Sequence, residues 1–108
     1  MRTAYRISKR YITMLEKVKL ALRITTNAFD SELTGLIDAA KIDLGIAGVI
    51  VPVTTDTNLD AIITRAIITY CKVNFGEPDE YDRLKASYDE QKAQLSMATG
   101  YTAWTEAQ

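Results

Sequence analysis

Histidine is missing from the chain and cysteine occurs once, at Cys71, so the side chains that most often carry catalysis or hold metals are almost absent. A Ser/His/Asp or Cys/His nucleophile, an HExxH zinc site and a Cys/His cluster each need residues this sequence lacks. Cys71 lies inside an apolar run, where a thiol reads as a small buried hydrophobe and not as a reactive group. Gly45-Ile46-Ala47-Gly48 has too few glycines for a dinucleotide fingerprint, and no Lys-Ser/Thr follows it to make a phosphate cradle. Asp79, Asp82, Asp89 and Glu90 could be paired as a general acid and base. Interleaved with Arg83 and Lys92 at helix-turn spacing, they read instead as a solvated face. The residue types therefore predict no enzymatic activity, no cofactor and no bound metal.

The elements that would carry these side chains are helical almost throughout. Met14, Leu15, Val18 and Leu22 give one apolar face to a first helix over roughly Thr13 to Leu22, with Thr13 as cap and Glu16 completing a capping box. Asn27 to Asp30 reads as a turn into a second helix capped by Asp30, in which Leu33, Ile37, Ala40 and Leu44 recur at i, i+4, i+7 and i+11. Gly45 is expected to end it, with Ile46 making the apolar contact that accompanies a left-handed stop. Ile46 to Asn58 is β-branched and broken by Gly48, Pro52 and Asp56, which predicts a long extended loop or short strand.

A third helix is expected from about Leu59 to Asn74. It carries Leu59, Ile62, Ile63, Ala66, Ile67, Tyr70 and Val73 on one side, with Ile68 and Cys71 beyond, a breadth that belongs at the centre of the fold or in a subunit interface. Gly76 stops it. Pro78 then stands at the start of a fourth helix running to about Ala98, with Tyr81, Leu84, Tyr88 and Leu95 on its apolar face. The expected fold is all-α: a small bundle of about four helices with a long extended loop between the second and third.

At 108 residues and 47% apolar composition, the chain matches one ordinary globular domain able to bury a core without disulfides. Three parts are distinguished within it: a basic arm at residues 1–12, a helical core at 13–98 and a tail at 99–108. The longest apolar run, Ile46 to Val53, is far below the roughly 20 residues a membrane helix needs, and the N-terminus develops no signal-peptide stretch. Synthesis inside the cell and no membrane partner are expected. Charge is segregated: residues 1 to 23 set Arg2, Arg6, Lys9, Arg10, Lys17, Lys19 and Arg23 against Glu16, for +6, which leaves −7 on the remainder of a chain whose total is −1. Such an arm can bind nucleic acid or meet the acidic face of an identical neighbour, and bare charge does not choose.

Several segments in order resemble a known family. Leu15-Glu16-Lys17-Val18-Lys19 with Leu22-Arg23-Ile24, then Phe29-Asp30-Ser31-Glu32-Leu33 with Leu36-Ile37-Asp38-Ala39-Ala40, are similar to the opening of tailed-phage head-to-tail connector, or head-completion, proteins. The likeness continues through Asp43 to Val49, Arg65 to Gly76 and Arg83 to Tyr88, so it spans about Met14 to Leu95. None of these motifs is a chemical signature; their order carries the likeness. A basic stretch as long as Met1 to Arg10 departs from the family pattern.

The resemblance implies an α-helical adaptor of the virion whose copies form a ring beneath the portal after DNA packaging. Such a ring extends the channel for double-stranded DNA and offers the tail or head-closure protein a docking surface. A closed ring needs two different complementary surfaces, which the basic arm (Arg2, Arg6, Lys9, Arg10) and the acidic remainder can supply. Val49, Ile50, Val51 and Val53 in the long loop can supply an apolar part, although a strand folded over its own core explains them equally well. Tyr101 and Trp104 in the tail are the aromatic candidates for anchoring the portal, against the alternative that Trp104 folds back over Tyr88 or Leu95. The competing function is a small helix-turn-helix DNA-binding regulator with Met1 to Arg10 as a minor-groove arm. Its third helix offers a groove only Arg65 and Lys72 among many apolar residues.

Overall fold

A computed structural model describes residues 13–51 and 61–98. Among them are four helices and no strand, in the order α1 (Met14–Leu22), α2 (Asp30–Ile46), α3 (Ala61–Asn74) and α4 (Tyr81–Met97). The chain is therefore all-α, as its periodicity predicts. No described helix is long and apolar enough to cross a membrane.

The expected capping box starts α1. The Thr13 hydroxyl accepts the Glu16 backbone N–H at 3.2 Å, and the Glu16 carboxylate accepts the Thr13 backbone N–H at 3.0 Å. Met14 and Val18, one turn apart, are fully buried. The helix stops at Arg23, which adopts the left-handed conformation (φ 61°, ψ 41°) so that Ile24 N–H reaches the Lys19 carbonyl at 2.9 Å. A side chain costs roughly 1–2 kcal/mol in that region, which glycine enters freely at an unfolded-state entropy cost of about 0.5–1 kcal/mol. Arg23→Gly is therefore expected to raise stability by up to about 1 kcal/mol, or about 5 °C in thermal midpoint. A lowered midpoint in thermal denaturation would show that the arginine side chain itself supports the fold.

Leu33, Ile37, Ala40 and Leu44 are buried along α2, the set the spacing selects. Both of its ends differ from expectation. Asp30 is the first helical residue and not the cap, because Lys19 Nζ takes its carboxylate at 2.9 Å and ties α2 to α1; in the first turn the acid still favours the helix dipole. Gly45 does not end the helix, which runs to Ile46. The left-handed residue is Gly48 (φ 98°), whose N–H donates to the Gly45 carbonyl at 3.0 Å while Val49 N–H donates to the Leu44 carbonyl at 3.0 Å. The apolar partner in such a stop is the residue after the positive-φ glycine. Val49 is accordingly the one buried with Leu44, and Ile46 is left 80% exposed.

α3 lies at the centre and packs against α1, α2 and α4. Eight of its residues are buried, including Ile63, Ala66, Ile67, Cys71 and Val73, and the buried Thr69 hydroxyl donates to the Arg65 carbonyl at 2.9 Å. Ile62 departs from the expected inward set and is half exposed. The expected start at Leu59 lies outside the described residues.

Gly76 (φ 67°) turns the chain after α3, and Phe75 meets Phe29 edge to face at 5.4 Å between centroids. Pro78 is not at a helix start. A turn at Asp79 and Glu80 intervenes, and α4 begins three residues later at Tyr81, with Glu80 paired to Arg83. Tyr88 and Leu95 are buried as expected and Leu84 is half-buried, whereas Tyr81 on the first turn stays exposed.

Candidate functional site

The most organised polar group joins α2 to α4. Tyr88 donates its hydroxyl to Asp43 Oδ2 at 2.6 Å, and Lys92 Nζ donates to the same oxygen at 3.1 Å from one turn further along α4. Tyr70 stacks edge-on against Tyr88 at 5.3 Å, and the Lys92 ammonium lies 5.3 Å from the Tyr88 ring centre. Burial pushes the Asp43 carboxyl up, but the bonds from Tyr88 and Lys92 and the charges of Lys92 and Lys85 outweigh it and hold the group below the ordinary carboxylate value. Burial, then the bond to Asp43, raise the Tyr88 phenol well above its usual 10.0. The carboxylate is satisfied and the phenol keeps its proton, so the trio is an interhelical tie with no group poised to exchange protons. Sequence reasoning missed Asp43, although Tyr88 and Lys92 stand at i and i+4 on one face of α4.

Cys71 is fully buried, and burial raises its thiol from the usual 9.0 to about 12. It is inert at neutral pH. In the unfolded chain the thiol ionises from pH 9.0, while the fold keeps it protonated to about 12. The stability tied to this group is thus complete below pH 9 and is lost as pH rises through that window, by at most about 1.4 kcal/mol per unit. Urea midpoints taken at pH 8 and pH 10 should fall further for the wild type than for Cys71→Ala. An equal fall would contradict the buried protonated thiol.

The acids of α4 behave as a solvated face. Lys85 bonds both oxygens of Asp89, at 2.9 and 3.1 Å, and this hydrogen bond raises the lysine's pKa. Among the described residues, no group of three or more His, Cys, Asp or Glu side chains is placed to hold a metal ion.

The interface candidates divide sharply. Val49 is buried, Val51 is half-buried against the same core, and Ile50 between them faces solvent at 39% exposure. Val53, Arg2, Arg6, Lys9, Arg10, Tyr101 and Trp104 lie outside the described residues. The fold also leaves three apolar residues outside: Leu20 on α1 (70% exposed) and Ile42 on α2 (65%), which the sequence reading did not single out, and Ile46 on α2 (80%), which it placed in the contact of the helix stop. The signal was present. Ile42 and Ile46 fall outside the i, i+4, i+7, i+11 set that α2 buries, so the helix had to carry them on its other side.

The described exposed positions of α3 are Ala61, Ile62, Arg65 and Asn74, with the rest of the helix turned into the core or half covered. A helix so enclosed offers little to a DNA groove. The family model described as phage connector protein matches residues 14–102. No curated protein and no solved structure matches the chain.

Proposed function

The chain belongs to the phage connector protein family, and from that premise we propose that its copies form a closed ring between the portal and the tail of a phage head. In this reading the ring completes the head after DNA packaging and extends the channel for double-stranded DNA. Its partners are further copies of the chain, the portal protein and a tail or head-closure protein. It uses no cofactor, performs no catalysis and resides at the head–tail junction of the virion after synthesis in the host cytoplasm. The match across all four helices is the observation that carries the reading.

Charge and packing support it. Outside residues 1–23 the chain is −7, which suits a wall past which a polyanion must slide without being held. A sequence-reading regulator needs an accessible recognition helix, and α3 is the most enclosed helix described. Filter binding with unrelated duplexes tests the two against each other. The connector reading expects weak, sequence-independent retention that falls as salt rises. A preference of about a thousandfold for one duplex would establish the regulator instead.

A further inference from the structure

α1 and α2 each keep one ridge that the fold does not use. On α1 the exposed Leu20 stands between the cations Lys17 and Arg23, and on α2 the exposed Ile42 and Ile46 follow the exposed acid Asp38. Neither cation has an ionic partner among the described residues, and neither does Asp38. By contrast Lys19, on the side of α1 turned to α2, is engaged with Asp30 and Asn27. Among the described residues the two ridges therefore remain open, and because α1 and α2 already pack together through other faces, these two ridges do not meet within one copy.

We propose that α1 of one copy lies antiparallel on the outward ridge of α2 of a second copy, with Leu20 against Ile42 and Ile46 and Arg23 against Asp38. The proposal rests on the ring reading and names the contact that builds the ring. Register follows from helix spacing: Arg23 is three residues beyond Leu20, Asp38 is four before Ile42, and Lys17, three before Leu20, then falls at the carboxyl end of α2. That end has no basic residue in its last turn to meet the negative pole of the helix, and Lys17 supplies one. Nothing lies within 4 Å of where a Cβ would stand at Gly35 or Gly45, so the ridge is open to close approach. Arg23 adds an independent sign. A glycine would hold its left-handed conformation without strain, yet the chain places there a cation that makes no ionic contact within the described fold. The two ridges differ, so the contact is heterologous and repeats from copy to copy until a ring closes.

Cysteine crosslinking tests the contact, since Cys71 is fully buried and the wild type serves as control. A chain carrying both Leu20→Cys and Ile42→Cys, oxidised at a concentration where the wild type associates, should give a ladder of disulfide-linked multimers, while each single variant stays uncrosslinked. Arg23→Gly should weaken association several-fold in sedimentation equilibrium while its thermal midpoint does not fall. Dimers from either single variant, or no ladder from the double variant while the wild type still associates, would overturn this contact and leave the ring reading intact. A wild type that stays monomeric at every concentration and joins no portal-bearing head would overturn both.

Discussion

Ile67→Ala is expected to lower the free energy of unfolding by about 3–4 kcal/mol, in the upper part of the range for removing a buried isoleucine or leucine side chain. Ile67 is fully buried near the middle of α3, the helix that packs against α1, α2 and α4. Closing the cavity would require several helices to move together, so most of it should remain open. In a domain of this size the loss is a large share of the roughly 5–15 kcal/mol that holds the fold. Ile62→Ala, at a half-exposed position on the same helix, should cost under about 1 kcal/mol. Urea denaturation of the two variants measures the contrast. Equal losses, or a loss below about 1 kcal/mol at Ile67, would show that α3 is not the centre of the core.

Deleting residues 99–108 should have the opposite character, leaving the helices intact and removing attachment to DNA-filled heads. Among the described residues a contiguous core already runs from Met14 to Leu95. A short polar stretch around Tyr101 and Trp104 gains little burial alone against the roughly 1–2 kcal/mol per residue of ordering its backbone, whereas a portal surface would supply the missing area. Trp104→Ala alone should weaken attachment by about tenfold or more, as for a central aromatic anchor. Circular dichroism together with co-sedimentation on portal-bearing heads separates the outcomes. A truncated chain that unfolds would mean that Trp104 covers the core, and one that joins heads at wild-type affinity would place the portal contact elsewhere.

Inward-facing residues were the most legible part of this protein. Leu33, Ile37, Ala40 and Leu44 follow from periodicity because burial selects one face of a helix, and the Thr13 and Glu16 capping box follows because both partners lie within one turn. Features that depend on competition between neighbours were harder to read. Gly45 and Gly48 both qualify as helix stops, and only the burial of Val49 beside Leu44 decides for the second. Asp30 looks like a cap until Lys19, eleven positions earlier, claims its carboxylate. Asp43 joins residues 45 and 49 positions away, a separation that no local pattern encodes. Interaction surfaces are least legible because nothing within the chain enforces them. Leu20, Ile42 and Ile46 stand out only after the core has taken its share.

Ring assembly is the central claim, and electron microscopy of the purified protein, alone at high concentration and mixed with portal-bearing heads, tests it most directly. Closed rings should appear in the concentrated sample and at the portal vertex of the heads, and part of the association should weaken as rising salt screens the opposed charges. Compact dimers that leave the portal vertex bare and instead shift a defined DNA fragment would contradict it.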